Sequence, residues 1–197
     1  MTTASVLTFV LLGASGASAS TELVDLASTA ADGPAWTPGY EVIEDPLKHF
    51  GVLTTLNGER PGGKLEPLHD SVNMLDTIDA EGNRHLVERG VRKAGTRVGI
   101  HVHQYGGTTC VIEGTITDFG EGDKKPSVFP AGTCYYMPPN KPMAAANLGE
   151  TDAILIDTFV FPSSAEPIFI LEPGYPGGPG EPGYPGGPWL PRWARIL

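Results

Sequence analysis

The chain has 197 residues, of which 40% are hydrophobic and 18% charged, and its formal net charge is −10. This acidity argues against nucleic acids and anionic membrane surfaces as partners, because both would repel the chain. The 26 glycines and 19 prolines favour turns and short strands over long helices. The length suits one globular domain with additional terminal segments.

The first 19 residues resemble a secretory signal peptide. An apolar run from Val6 to Leu12 leads into small residues, and Ala17 and Ala19 form an A-x-A-type cleavage signal. The run is too short to span a bilayer, and no Lys or Arg precedes it. We therefore expect a secreted or extracytoplasmic protein. The alternatives are a packed or unstructured N-terminus and a misassigned start codon.

The next two segments differ sharply in composition. Residues 20–41 are rich in small and polar side chains and are predicted to form a linker or irregular N-terminal extension. In residues 42–171, short β-prone segments alternate with Gly, Pro, Asp and Asn, a spacing typical of an all-β sandwich or barrel. No helical periodicity longer than about three turns is evident.

Residues 172–197 form a Gly/Pro/Tyr-rich tail that contains a tandem repeat. "EPGYPGGPG" at 172–180 recurs as "EPGYPGGPW" at 181–189. Such a segment is predicted to be extended and mobile, with a solvated backbone. The apolar end "WLPRWARIL" is interpreted as docking on the domain itself, with another subunit or a partner protein as alternatives.

The stretch "GIHVHQYGGTTCVIEG" at 99–114 carries the first chemical signal. His101 and His103 are one residue apart in a β-prone run, so both imidazoles point to the same side of a strand. This is a frequent way to hold a metal ion, yet no carboxylate stands where a third ligand is expected. Cys110 and Cys134 are the only cysteines, and they form one disulfide if the protein is exported or two buried thiols if it is cytosolic.

Residues 95–147 resemble the two signature motifs of the cupin superfamily. Four residues match the first motif and three match the second, in order and at the family's spacing: Gly95, His101, His103 and Gly114, then Gly132, Pro138 and Asn147. The resemblance implies a small single-domain cupin, which is a jelly-roll β-barrel whose motif residues point into the barrel mouth. It also implies that two barrels pair as a homodimer through exposed sheet edges.

The departures from the motifs bear on the metal. Gly107 stands in the glutamate position of the first motif, Met143 in the histidine position of the second, and Asn140 replaces an inner glycine. A set of His101, His103 and Met143 favours copper, especially Cu(I), because thioether sulfur is a soft ligand; iron or manganese is the alternative. The alternative for Met143 is an ordinary apolar wall residue, and a vestigial site would hold no metal.

The resemblance also places other residues. It puts Cys110 and Cys134 on neighbouring strands and so implies a disulfide between them. Candidate ligand-binding residues near the barrel mouth are Gln104, Tyr105, Tyr136 and Asn147. A buried tyrosine hydroxyl needs a hydrogen-bond partner and can orient a ligand, but each tyrosine could instead be an aromatic residue of the core. Asn147 is expected to bond to the backbone near the mouth.

Three functions remain open. The first is a secreted cupin that binds a small organic molecule, with a partial metal site. The second is a metal-dependent enzyme, similar to a dioxygenase or an isomerase, acting on a small organic substrate. The third is a structural or assembly protein that acts through its tail. The sequence contains no nucleophile elbow, phosphate loop or dinucleotide fingerprint.

Overall fold

The computed structural model describes residues 39–182, so the predicted signal peptide and most of the linker and of the second repeat lie outside the described residues. The regular secondary structure of the described part is almost entirely β-strand, preceded by one short helix, α1 (Pro46–Phe50). Asp45 caps this helix by accepting a hydrogen bond from the Lys48 amide. No helix within residues 39–182 has the length and apolarity needed to cross a membrane.

Twelve strands follow the helix and form two sheets. Their bounds are β1 (Lys64–Leu65), β2 (His69–Ile78), β3 (Asn83–Arg92), β4 (Thr96–Arg97), β5 (His101–Val102), β6 (Gly107–Glu113), β7 (Thr115–Gly120), β8 (Ser127–Pro130), β9 (Cys134–Met137), β10 (Met143–Asn147), β11 (Ala153–Pro162) and β12 (Phe169–Ile170).

The two sheets face each other across one apolar core. The first has the order β1-β4-β10-β5-β12, with β7 pairing with β10 and β8 pairing with β7. The second has the order β2-β3-β11-β6-β9. Buried side chains of both sheets, such as Ile116 and Met143 from the first and Val111 and Phe161 from the second, pack into one cluster. The predicted all-β jelly-roll barrel is therefore confirmed.

Alternation along the long strands decides which side chains enter the barrel. In β11, Leu155, Phe159 and Phe161 are buried while Thr158 and Val160 between them are exposed. The same two-residue period holds in β6 and β9, as expected for strands with one face on the core. Any polar residue that shares the parity of the buried ones must face the barrel interior.

The predicted disulfide between Cys110 and Cys134 is confirmed. The two cysteines face each other across β6 and β9, with their Cα atoms 4.0 Å apart. Closing a loop across 24 residues of sequence stabilises the fold by about 3 kcal/mol, because it restricts the unfolded chain. A disulfide is compatible with an extracellular location.

The first repeat corrects one expectation. Residues 172–180 were predicted to be extended and mobile, but the structure folds them into turns against the barrel, with Glu172 and Tyr175 buried. The reason is specific contact: Glu172 forms an ion pair with Arg97, and Tyr175 packs with Val98 and Ile170. Composition alone does not reveal these partners.

Candidate functional site

His101 and His103 lie side by side inside the barrel. Both are almost inaccessible to solvent, at 4% and 2% exposure, and their Nε2 atoms are 3.2 Å apart. Burial lowers the pKa of His101 to about 3, with a further contribution from His103, and lowers the pKa of His103 to about 4. Both rings are therefore neutral at physiological pH.

Backbone carbonyls fix the tautomer of each ring. His101 Nδ1 lies 2.8 Å from the carbonyl oxygen of Gly99, and His103 Nδ1 lies 2.6 Å from that of Pro167. Since a carbonyl oxygen only accepts, each Nδ1 carries the proton and each Nε2 is left with a lone pair. Two lone pairs thus converge on one point, an arrangement that calls for a donor or a cation between them.

This donor set fits a metal ion only in part. Metal-binding histidines usually donate their second ring N–H to a carbonyl, as both do here, and two nitrogens bound to one ion at about 2.0–2.1 Å lie roughly 3 Å apart. However, among residues 39–182 no group of three or more His, Cys, Asp or Glu side chains is placed to hold a metal. The pair suits a soft ion such as copper better than manganese or iron, which usually take more ligands.

The predicted third ligand, Met143, is buried in the core. It faces His101 across β10 and β5, and cross-strand partners share one face of a sheet. The thioether that lines the cavity beside the histidines is that of Met137. Met143 is therefore a neighbour of His101 in the sheet, and its role as a ligand stays a prediction.

The vacant glutamate position has a structural cause. A Cβ atom added to Gly107 would lie 2.6 Å from the ring of Phe159 and 2.9 Å from the methyl group of Met137. The Phe159 ring in turn stacks on His103, with ring centroids 5.1 Å apart. An aromatic ring therefore fills the space that the missing carboxylate would need.

A cavity of about 410 Å³ opens next to the histidine pair. A row of polar side chains crosses the second sheet along its floor, because Glu88, Asp157, Thr109 and Tyr135 are register partners on β3, β11, β6 and β9. Apolar side chains form much of the remaining wall: Leu68, Val98, Met137, Ala145, Leu155, Phe159, Ile168 and Ile170.

The carboxyl of Asp157, a half-buried residue, is the centre of this row. It accepts a 2.5 Å hydrogen bond from the Thr109 hydroxyl. Burial raises its pKa to about 6, against the opposing effect of that hydrogen bond. Burial likewise raises the pKa of the Tyr135 phenol. Asp157 can thus hold or release a proton near neutral pH inside the cavity.

None of the four predicted ligand-binding residues lines the cavity. The Gln104 amide donates to the Ile43 carbonyl and so attaches the segment before α1 to the barrel. Tyr105 packs against the core, and Tyr136 is 62% exposed on the outer face of β9. Asn147 is fully buried and bonds to the backbone of Arg92, Thr151 and Gly149, as expected for a structural residue.

A second carboxyl that faces inward is that of Asp118, a half-buried residue whose Oδ1 atom is inaccessible to solvent. It shares the parity of the buried Ile116 on β7, and its Oδ1 has no hydrogen-bond partner among the described residues. Burial raises the pKa of Asp118 to about 7, with a contribution from Asp123. The unfolded carboxyl titrates near pH 4, so the folded state binds more protons between about pH 4 and 7, and stability falls as the pH rises through that range.

We expect Asp118→Asn to be more stable than the wild type at pH 8, by on the order of 2 kcal/mol, because the buried charge is gone. The two proteins should have nearly equal stability at about pH 3, where the carboxyl is largely protonated in both states. Urea unfolding at the two pH values measures this. Asp152→Asn is the control of opposite sign, since its pKa is lowered by Lys93. Equal stability of Asp118→Asn and the wild type at pH 8 would refute the assignment.

The chain is similar to known structures at low sequence identity. No protein-family model matches the chain, and no curated protein matches it. A conserved protein from Klebsiella pneumoniae with a double-stranded β-helix domain is 23% identical over 55% of this chain and 90% of its own, with a TM-score of 0.42. An RmlC-like cupin family protein from Methanocaldococcus jannaschii is 16% identical over 54% and 94%, with a TM-score of 0.41.

A third similar structure is a larger enzyme. The oxalate decarboxylase of Bacillus subtilis, a protein with Mn(II) centres, is 14% identical over 49% of this chain and only 30% of its own, with a TM-score of 0.38. The jelly-roll barrel that the motif resemblance implied is the architecture of the two sheets described above.

Proposed function

We propose that this protein binds a small organic molecule in the cavity beside His101 and His103. The observation that carries the proposal is the convergence, in one cavity of about 410 Å³, of the neutral histidine pair and the polar row on the second sheet. Small-molecule sites typically have volumes of roughly 300–1,000 Å³, with apolar walls and a few fixed polar groups. The cavity has this composition.

The polar groups favour a ligand that donates hydrogen bonds. The Nε2 atoms of His101 and His103 act as acceptors, because both Nδ1 protons are already bonded to carbonyl groups. A ligand amine between them has at least two N–H donors and would satisfy both lone pairs, whereas a hydroxyl would donate to one of them. The apolar wall, including Leu155 and Phe159, would cover the hydrocarbon part of such a molecule.

Ligand-observed NMR with a panel of small aromatic and aliphatic alcohols, amines and carboxylic acids tests this proposal. We expect alcohols or amines to bind in preference to the matching acids. The variant Ala145→Leu, which adds bulk to the cavity wall, should weaken binding at least tenfold. The control Ala131→Leu adds the same bulk at an exposed position and should leave binding unchanged. If no compound binds, or both variants behave alike, the cavity is not the site.

A second candidate function is supported by the 3.2 Å separation of the two Nε2 atoms. In this case His101 and His103 would hold a metal ion, and the protein would be a metal-dependent enzyme acting on a molecule in the same cavity. The metal would supply Lewis-acid or redox chemistry. Asp157 would hold or deliver a proton at its carboxyl, and Phe159 would exclude water from one side of the pair.

Competition titration with Cu(I) under anaerobic conditions tests the metal. We expect one Cu(I) per chain, and at least a hundredfold loss of affinity in His101→Ala and in His103→Ala. Met143→Leu and Met137→Leu are matched variants that distinguish the two buried thioethers. A tenfold loss restricted to Met143→Leu would support the predicted three-ligand set, whereas unchanged affinity in that variant would remove Met143 from it.

We also propose that the protein is exported. The signal-like N-terminus and the disulfide between Cys110 and Cys134 support export, because disulfides persist in oxidising compartments. Mass spectrometry of the mature chain should show cleavage after Ala19. An intact N-terminus on a protein retained in the cytoplasm would contradict export.

A further inference from the structure

We infer that the first repeat, residues 172–180, is a working part of this site, in which Glu172 is a positioning residue for His101. The inference rests on the function proposed above, since it concerns the geometry of the histidine pair. From the sequence alone, the only role considered for the tail was a structural or assembly one.

The segment around Glu172 holds the residue that precedes His101. The Ile100 amide donates a 3.0 Å hydrogen bond to the Glu172 carboxylate. The Ile100 carbonyl accepts hydrogen bonds from the amides of Leu171 and Glu172, at 2.7 and 3.2 Å. Both backbone groups of Ile100 are thus bonded to the start of the repeat.

The carboxylate that performs this role is itself fixed. The Arg97 guanidinium donates two hydrogen bonds to Glu172, at 2.5 and 2.7 Å, and both side chains are 1% exposed. A bidentate pair of this kind determines orientation as well as distance. Glu172 therefore cannot rotate without breaking a buried ion pair.

Tyr175 packs against Gly99, the residue whose carbonyl accepts the hydrogen bond from His101. Its side chain lies so close to Gly99 that an added Cβ there would be 2.9 Å from the Tyr175 Cβ. The Gly99 carbonyl is the group that fixes the His101 tautomer. Tyr175, together with Pro176 and Gly177, also lines the cavity. The repeat thus positions Gly99 and Ile100 and closes one wall of the site.

His103 provides an internal reference, because its Nδ1 bonds to the Pro167 carbonyl, before the repeat begins. Loosening the repeat should therefore disturb His101 more than His103. A loss of general stability would instead affect both rings alike. This difference separates a positioning role from a merely structural one.

The experiment is a long-range ¹H–¹⁵N NMR spectrum of the imidazoles of the full chain at pH 7. In the wild type both histidines should show the Nδ1–H tautomer. In Glu172→Gln, and separately in Tyr175→Ala, His101 should populate the Nε2–H tautomer while His103 keeps its own. Cu(I) affinity should fall at least tenfold in both variants. A chain that ends at Gly180 is the control, since it removes the second repeat and should leave both readouts unchanged.

The outcomes separate the two proposals. Folded Glu172→Gln and Tyr175→Ala variants with wild-type tautomers would overturn the positioning role, whatever binds in the cavity. A wild-type protein that shows the expected tautomers, but binds neither Cu(I) nor any compound of the panel, would overturn the proposed function and leave the positioning of His101 intact.

Discussion

We expect Gly107→Glu to destabilise the protein by about 3 kcal/mol, even though it restores the carboxylate that the cupin motif has at this position. A side chain at Gly107 would collide with Phe159, whose ring atoms lie 2.6 Å from the added Cβ. Overpacking a dense core typically costs about 1–3 kcal/mol, and the Phe159 ring is held in place by its stacking on His103. Urea unfolding gives the value.

Removing the Phe159 ring should relieve the steric clash with a side chain at position 107. Phe159→Ala alone should cost about 3–5 kcal/mol, because it opens a cavity in the core. The double variant with Gly107→Glu should cost at least 1 kcal/mol less than the sum of the two single changes, since each is in direct contact with the other. The double variant should also bind Co(II) at least tenfold more tightly than the wild type, because two imidazoles and a carboxylate are then available to one ion.

Thr108→Glu is the matched control for this prediction. It places the same carboxylate one residue along β6, on the opposite face of the sheet. We expect it to change neither the stability by more than about 0.5 kcal/mol nor the binding of Co(II). If Gly107→Glu is as stable as this control, the explanation of the missing glutamate by Phe159 is wrong.

The second large effect concerns the buried ion pair of Arg97 and Glu172. We expect Glu172→Ala to lower the free energy of unfolding by about 3–5 kcal/mol, because it leaves a buried guanidinium without its partner. Arg97→Met should cost a similar amount for the converse reason. The double variant Arg97→Met with Glu172→Leu should recover much of the loss, since well-packed apolar residues can replace a buried pair.

The ion pair of Arg84 and Asp76 is the control for burial. Its atoms are 2.6 Å apart in equally good bidentate geometry, but Asp76 is half-exposed. Asp76→Asn should therefore cost less than about 1 kcal/mol. Similar losses at the two pairs in urea unfolding would mean that the first repeat is not anchored by the buried pair.

The fold and the histidine pair could be predicted because their signals are local. Turn residues at short intervals indicate strands, and two histidines one residue apart must share a face of a strand. The cysteines required the motif resemblance as well, since it gave the pairing of β6 with β9. Those predictions needed only strand parity and strand order.

Part of the rest of the site could have been predicted from the alternation of inward and outward residues along the strands. The packing between strands could not. Asp157 has the same parity as Leu155 and Phe159, and Tyr135 rather than Tyr136 has the parity of Met137. An acidic residue at an inward position of an apolar strand was therefore a usable signal. No sequence pattern, however, indicates that Phe159 fills the space beside Gly107, because that contact joins different strands.

For the first repeat, too, contacts between distant residues could not be predicted from the sequence, but here they create order where none was expected. Its composition predicts a solvated chain, and this prediction fails where Glu172 meets a buried Arg97 75 residues away in sequence. Low-complexity composition lowers the expectation of order, but a few specific partners are sufficient to reverse it.

The most direct test of the proposed function is a crystal structure of the protein soaked with the tightest compound of the NMR panel. We expect the compound to lie inside the cavity, with a hydroxyl or amine within hydrogen-bond distance of His101 Nε2 or His103 Nε2 and its hydrocarbon part against Leu155 and Phe159. A compound bound outside this cavity, with the histidine pair unchanged, would contradict it.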